Sequence, residues 1–255
     1  MSLPKNYGKC HICGKEGKLS FEHIPPRKAF NWSFTRLLKG LEILQTLKQN
    51  DFENVKTKIH QRGSGDYTLC PKCNNDTGGW YGGAYVSWAY QAATILIHTA
   101  ERPSLYYPFK IFPLRVLKQI DCMFFSANGP EFQDEFPELV KFVLNPEYKY
   151  FDNRIRVVCY YNPTGVARQT GIASLISLSG SPISLGEISY YPFGYILYIE
   201  SHNFSEDIFD ISFFSKYNYN DWKEISLKIP HHNIYTWMPG DFRTRDQVQE
   251  ILSKR

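Results

Sequence analysis

Two Cys-x-x-Cys pairs, sixty residues apart, constrain how the first third of the chain can fold. Cys10 and Cys13 form the first pair, and Cys70 and Cys73 form the second. Each pair supplies two thiolates from one tight turn, and a structural zinc ion takes four such ligands in a tetrahedral arrangement. Redox Cys-x-x-Cys sites usually occur singly on a thioredoxin-like βα unit, which this sequence lacks. The four cysteines therefore predict a structural Zn²⁺ site that ties the two turns together.

The remaining composition predicts an ordinary packed protein. Of the 255 residues, 43% are hydrophobic and 16% aromatic, and six cysteines are too few for a disulfide scaffold in a chain of this length. Cys122 and Cys159 lie in apolar stretches, so we expect them to be buried small hydrophobes. No apolar run is long enough for a membrane helix, and the first residues carry no apolar signal core. We therefore expect a cytoplasmic protein with no membrane partner.

Positive charge is concentrated at the cysteine-rich end of the chain. Residues 1–84 contain 13 Lys and Arg against 7 Asp and Glu, a net charge of +6. Residues 85–255 contain 16 against 18, a net charge of −2. This asymmetry favours a polyanionic partner, such as nucleic acid, for the first segment.

A second group of residues carries the chemistry of a metal-dependent hydrolase. Glu22 and His23 lie between the two cysteine pairs, and Asn74 follows Cys73 directly. Carboxylate and amide oxygens suit Mg²⁺ or Mn²⁺, and a histidine of ordinary pKa, about 6.5, can accept a proton near neutral pH. Cleavage of a phosphodiester needs such a cation on the phosphate and a base to activate water. Arg27 and Lys28, just beyond two prolines, are either phosphate contacts or solvated loop charges.

The order of these motifs resembles that of the HNH (ββα-metal) endonucleases of the four-cysteine, treble-clef type. The resemblance covers roughly residues 8–80 and is carried by the segments Glu22-His23-Ile24-Pro25-Pro26 and Leu69-Cys70-Pro71-Lys72-Cys73-Asn74. It implies that His23 is the general base, that Glu22 and Asn74 hold a catalytic Mg²⁺ or Mn²⁺, and that the four cysteines hold zinc away from the chemistry. The implied substrate is DNA, with products that carry 5′-phosphates. One such site cuts one strand, so a double-strand break needs a homodimer or two visits. By analogy with bacterial chains that contain such a unit, the resemblance also points to restriction or phage defence.

The sequence departs from the family pattern in several places. The acidic residue is Glu22 rather than the commoner aspartate, and 46 residues separate His23 from Cys70. A lysine often found four residues after the last cysteine is Thr77 here. The asparagine that braces the loop before the second cysteine pair is not at its usual place, and Asp66 or Asn54 could replace it.

The predicted fold is α+β: an N-terminal treble-clef ββα-metal zinc unit, followed by helices and a mostly antiparallel β-sheet. We place the zinc-bound unit at 1–84, with a helical insertion near 33–49, and a helical and then strand-rich region of unknown role at 85–255. A short strand is expected to end at His23, a second to lead into Cys70, and a helix to begin after Asn74, capped by Asn75 or Asp76. Further helices are predicted at 84–100, 114–126 and 132–144, strands at 154–161, 167–178, 188–200, 208–214 and 225–229, and a last helix with Thr244 and Gln247 as a capping box.

Two other functions remain open from the sequence. The zinc unit could be a non-catalytic module that binds nucleic acid or protein, or the same chemistry could act on RNA. Convergence of Glu22, His23 and Asn74 on one exposed pocket favours a nuclease, whereas a His23 packed among apolar side chains favours the binding module. The other histidines carry no ligand pattern: we expect His98 to be packed in a helix and His231 and His232 to lie in a loop.

Overall fold

The computed structural model describes most of the chain. The described residues are 6–32, 35–38, 57–61, 63–99, 104–164, 166–176, 182–200, 209–235 and 238–253. The strands are β1 (Tyr7–Lys9), β2 (Glu16–Lys18), β3 (Ser20–His23), β4 (Thr35–Leu38), β5 (Thr57–His60), β6 (Gly65–Leu69), β7 (Ser104–Ile111), β8 (Ile155–Tyr161), β9 (Arg168–Ile176), β10 (Pro182–Tyr190), β11 (Phe193–Ile199), β12 (Phe209–Asp210) and β13 (Lys223–Pro230). The helices are α1 (Pro71–Thr77), α2 (Gly83–Thr99), α3 (Pro113–Ala127), α4 (Phe132–Glu135), α5 (Pro137–Leu144) and α6 (Arg245–Ser253), with a π-helical turn at Gly78–Gly82 and a 3₁₀ turn at Ser212–Lys216.

Every strand pair in the described residues is antiparallel. One five-stranded sheet has the order β12-β8-β11-β10-β9, and four two-stranded pairs join β1 to β2, β3 to β6, β4 to β5 and β7 to β13. Together with the helices, this arrangement confirms the α+β class. The division of the chain at residue 84 stays a prediction, and helical backbone runs across it from α1 through the π-helical turn into α2.

The helix α3 lies at the centre of the core, with buried residues on all its sides. It contacts the π-helical turn, α2, α5 and the strands β9 and β10. Trp88 of α2 stacks on Phe193 of β11 with ring centroids 4.7 Å apart, and its indole N–H donates to the Tyr195 hydroxyl at 2.9 Å. The helix α2 is therefore fixed against the five-stranded sheet. Within the described part of the chain, none of the helices is both long and apolar enough to cross a membrane.

Several predicted elements are confirmed. The strands predicted at 154–161 and 167–178 correspond to β8 and β9, and the helices predicted at 84–100 and 114–126 correspond to α2 and α3. The capping box also forms: Thr244 N–H donates to Gln247 Oε1 at 2.8 Å, and Gln247 N–H donates to Thr244 Oγ1 at 3.3 Å.

Other predictions are wrong, and in two of them a proline is the cause. The helix predicted at 132–144 breaks at Phe136, because a residue before a proline is disfavoured in helical backbone and Pro137 follows it. The strand predicted at 188–200 is the inner part of the hairpin β10–β11, which turns at Tyr191-Pro192. The strand predicted at 208–214 is shorter, since β12 ends at Asp210 and a 3₁₀ turn follows. The strand β7 was not predicted at all.

The helix predicted near 33–49 is wrong where the structure describes it. Residues 35–38 form β4, whose partner is β5, and residues 39–56 lie outside the described residues. The apolar spacing of this segment did not exclude a short strand, since a four-residue strand is too short to show its own period. His98 is also exposed at the end of α2 rather than packed in the core, whereas Cys122 and Cys159 are buried as predicted.

Candidate active site

The four cysteines of the two pairs converge on one point. The sulfur atoms of Cys10, Cys13, Cys70 and Cys73 all lie within 4.8 Å of one another, and Cys13 Sγ and Cys70 Sγ are 3.9 Å apart. Tetrahedral zinc with Zn–S bonds of about 2.3 Å places its sulfurs about 3.8 Å apart. The cluster therefore has the donor set and the dimensions to hold a zinc ion.

The two turns that carry the thiols are fixed by local backbone geometry. In the first turn, Gly14 donates its N–H to the Cys10 carbonyl at 2.9 Å with a φ of +70°, a conformation that favours glycine. In the second turn, Cys70 is the N-cap of α1, and its Sγ accepts from Cys73 N–H. The helix thus begins at Pro71, before Asn74, so the prediction that Asn75 or Asp76 caps it is wrong. Proline is favoured at the first helical position, where no N–H is needed.

Hydrogen bonds surround the Cys10 thiol. The Cys73 thiol and the backbone N–H groups around Cys10 lower the pKa of Cys10 below its ordinary value. Cys70 N–H is one of these donors, at 3.2 Å from Cys10 Sγ. The neighbouring His11 is directed elsewhere, since its Nδ1 lies 3.2 Å from the carbonyl oxygen of Phe125.

Glu22 and His23 lie on β3, which pairs with β6, the strand that leads into Cys70. Glu22 faces Asp66 and His23 faces Gly65 in the register of the pair. A Cβ at Gly65 would lie 2.1 Å from the Glu22 carbonyl oxygen, so only glycine fits at that place. Because β3 ends at His23, the two side chains reach one pocket at the end of the strand, although successive residues of a strand point to opposite faces.

Asn74 is fixed to the same strand from α1. Its Nδ2 donates to Ser20 Oγ at 3.0 Å and to the Phe21 carbonyl at 3.2 Å. Since a carbonyl oxygen only accepts, this bond assigns the nitrogen of the amide to β3 and leaves Oδ1 as its acceptor for a ligand. The helix and the strand therefore present Asn74, Glu22 and His23 as one unit.

All five residues predicted for the chemistry line the same pocket, which has a volume of about 500 Å³. They are Glu22, His23, Arg27, Lys28 and Asn74. Arg27 and Lys28 are exposed at its rim, where they can meet a phosphate. The structure thus brings together the residues that the sequence grouped.

Burial shapes the electrostatics of this pocket. Loss of solvent raises the pKa of the Glu22 carboxyl to about 7, because a buried carboxylate is poorly stabilised without a positive partner. The His23 ring is partly buried and meets the Phe21 ring edge-on, with centroids 4.9 Å apart. A divalent cation in the pocket would supply the charge that favours the ionised form of Glu22.

The residue that braces the loop is Asn31, which sequence reasoning missed. Its buried amide bonds to Ser64 and to the Pro25 carbonyl, and so joins the loop after β3 to the start of β6. Asp66 does not have this role, since its exposed side chain accepts from the adjacent Tyr67 N–H, and Asn54 lies outside the described residues. The sequence offered one clue to this role, since Asn31 lies in the loop between Pro25-Pro26 and β4.

The pocket is also lined by residues that follow the second cysteine pair. They are Val86 of α2 and Gln119 of α3, together with Gly78, Gly82 and Gly83. Gln119 is 2% exposed, and among the described residues no hydrogen-bond partner meets its Oε1. The pocket thus contains a buried acceptor that sequence reasoning did not single out.

No family model, curated protein or solved structure matches this chain.

Proposed function

We propose that this chain is a metal-dependent endonuclease of the HNH type that hydrolyses DNA phosphodiester bonds. The observation that carries the proposal is the convergence of Glu22, His23 and Asn74 on one pocket with Arg27 and Lys28 at its rim. The cysteine cluster, the β3–β6 pair and the following helix α1 support a treble-clef ββα-metal unit built around a structural Zn²⁺.

In this proposal, each residue of the pocket has a separate role in the reaction. A Mg²⁺ or Mn²⁺ ion, when bound, stabilises the negative charge that develops on the phosphate. The Glu22 carboxylate and Asn74 Oδ1 are the oxygen donors that would hold it, and both are of the type that such cations prefer. Arg27 and Lys28 bind the phosphates on either side of the scissile bond.

His23 acts as the general base. It takes a proton from the attacking water, whose oxygen forms the new bond to phosphorus. The bond between phosphorus and the 3′-oxygen breaks, and a proton from solvent neutralises the leaving oxygen. The product strand then carries a 5′-phosphate, as in the family that the sequence resembles.

The test is conversion of supercoiled plasmid to nicked and linear forms by zinc-loaded protein with added Mg²⁺ or Mn²⁺. We expect nicking that requires the added cation and disappears in His23→Ala with zinc retained. Absence of cleavage by the wild-type protein on DNA and on RNA, with retained binding, would replace the proposal with the non-catalytic binding module. Cleavage of RNA alone would keep the chemistry and change the substrate.

A further inference from the structure

A second cleft lies beside the pocket of the proposed active site, across a row of four glycines. The glycines are Gly78, Gly79, Gly82 and Gly83, which we call the glycine ridge. Gly78, Gly82 and Gly83 line the active-site pocket, whereas Gly79 and Gly83 line the second cleft, whose volume is about 220 Å³. Gly78, Gly82 and Val86 line the active-site pocket, Gly79 and Ser87 line the second cleft, and Gly83 lines both.

Neither the backbone angles nor the packing of the described residues requires glycine along this ridge. Gly78 and Gly83 have ordinary helical backbone angles, with φ of −61° and −63°, and no residue of the ridge has a positive φ. Among the described residues, a Cβ added at Gly78, Gly79 or Gly83 would meet no atom within 4 Å, and one at Gly82 would make only an ordinary contact with Gln119. Glycine is less favourable than alanine inside a helix, so the fold alone would be more stable with side chains here.

A ligand that passes over the ridge would explain why the positions on this exposed helical surface are glycines. Without side chains, the backbone of another molecule can approach the helix closely. π-helical turns, such as that at Gly78–Gly82, also occur frequently at functional sites. The ridge joins the pocket that holds the proposed scissile phosphate to the second cleft, so the ligand that crosses it is the neighbouring part of the substrate.

The second cleft has the side chains that bind an unstacked nucleobase. Trp80, Phe112 and Trp222 line it, and Trp222 is 54% exposed. Aromatic side chains bind the bases of single-stranded nucleic acid by stacking, without regard to sequence. A base within a duplex cannot enter such a cleft, because its faces are covered by its neighbours.

Two cations complete the cleft. The Arg115 guanidinium lies between the rings of Phe112 and Tyr219, at 4.4 Å and 3.9 Å from their centroids, and donates to the Tyr219 carbonyl at 2.8 Å. This arrangement fixes its charge at the cleft wall. Lys110 is also at the cleft, and its loose contact with Glu224, at 3.8 Å between two exposed side chains, leaves it able to reach a phosphate.

We propose that the substrate is DNA that is unpaired next to the scissile phosphate, and that its strand crosses the glycine ridge and stacks a base in the cleft of Trp80, Phe112 and Trp222. This inference rests on the proposed nuclease function and specifies its substrate class. The unpaired strand can belong to single-stranded DNA or to a junction within a duplex, since both present the same chemistry to the cleft.

The experiment measures binding of fluorescently labelled oligo-dT by anisotropy without added Mg²⁺ or Mn²⁺, and the melting temperature of each variant. Trp222→Ala should weaken binding about tenfold or more, whereas Tyr150→Ala, which removes an aromatic ring of similar exposure elsewhere, should not. Gly79→Ala should raise the melting temperature by about 2–4 °C and still weaken binding. Gly17→Ala, which also adds a Cβ with no neighbour within 4 Å, should leave binding unchanged.

The outcomes separate this inference from the proposed function. Suppose that the wild-type protein nicks plasmid but that Trp222→Ala and Gly79→Ala both bind oligo-dT with wild-type affinity. This result would leave the proposed nuclease function in place, and would overturn the proposal that the strand crosses the glycine ridge. Displacement of oligo-dT by blunt duplex at equal concentration would also overturn it. If the wild-type protein neither binds nor cuts any nucleic acid, the proposed function fails and this inference fails with it.

Discussion

The side-chain amide of Asn31 binds both backbone groups of Ser64. Its Oδ1 accepts from the Ser64 N–H at 2.6 Å, and its Nδ2 donates to the Ser64 carbonyl at 2.8 Å. Nδ2 also donates to the Pro25 carbonyl at 2.7 Å. Gly63 makes room for this contact, since a Cβ there would lie 2.2 Å from the Asn31 carbonyl oxygen. One amide thus fixes the loop that carries Arg27 and Lys28 to the strand opposite His23.

Replacement of this amide should cost both stability and activity. Asn31→Leu removes the bonds to the Ser64 N–H and the Pro25 carbonyl, whereas the Ser64 carbonyl still accepts from the Ile24 N–H at 3.0 Å. Each buried group left without a partner costs about 1–3 kcal/mol. We expect the free energy of unfolding in urea to fall by about 2–4 kcal/mol, with loss of plasmid nicking because the loop no longer holds its position. Asp66→Ala is the control, since this exposed side chain accepts from the adjacent Tyr67 N–H, and its removal should lower the free energy of unfolding by less than about 1 kcal/mol. Equal losses in the two variants would show that Asn31 is not the brace.

The cysteine cluster should bind one zinc ion and stabilise the fold. Metal analysis of the purified protein should give one zinc per chain, and Cys70→Ser should lose it together with several kcal/mol of stability, because metal binding is coupled to folding. Cys122→Ala is the matched control, since this thiol is buried outside the cluster and should leave the zinc content unchanged. Full zinc content in Cys70→Ser would contradict the assignment.

Gln119 should support nicking without stabilising the folded protein. Its buried Oε1 has no partner among the described residues, so Gln119→Leu should leave the free energy of unfolding unchanged or raise it by about 1 kcal/mol. We expect slower nicking in the same variant, because an acceptor facing the pocket can orient a water there. Gln91→Leu should have the opposite effect on stability, since Gln91 exchanges two hydrogen bonds of 2.9 Å with the backbone of Lys110. A destabilised Gln119→Leu would indicate a structural role instead.

Asp121 should make the stability of the protein depend on pH. Burial raises the pKa of its carboxyl well above the ordinary value, and neither of its oxygens has a partner in the described residues. The folded state therefore retains a proton that the unfolded state releases, so stability should fall as pH rises above about 4, the ordinary pKa of aspartate. Asp121→Asn mimics the protonated form and should flatten this dependence in urea denaturation curves. An equal slope in the variant and the wild-type protein would exclude Asp121 as its source.

Local sequence patterns predicted the residues at the centre of the site, but not the residues around them that brace the loop and line the pocket. The cysteine pairs and the residues adjacent to them act through short turns, so Cys10, Cys70 and Asn74 could be grouped from spacing alone. Asn31 could not, because its partners lie at residues 25 and 64 and come together only when β3 and β6 pair. Gln119 lies between Lys118 and Ile120 in a helix whose polar residues are mostly buried, so its sequence neighbours gave no sign that its side chain lines a pocket. The end of a helix before Pro137 and the hairpin turn at Pro192 could have been predicted from the sequence, since proline restricts the backbone of the residue before it.

In the proposed mechanism, Glu22 holds a catalytic cation and His23 is the base. The most direct test measures Mn²⁺ affinity by calorimetry and plasmid nicking in parallel, for the zinc-loaded wild-type protein, Glu22→Gln and His23→Ala. We predict that Glu22→Gln loses both Mn²⁺ binding and nicking, whereas His23→Ala keeps Mn²⁺ binding and loses nicking by about a hundredfold or more, the usual contribution of a general base. Nicking by His23→Ala at the wild-type rate, or wild-type Mn²⁺ affinity in Glu22→Gln, would overturn these two assignments.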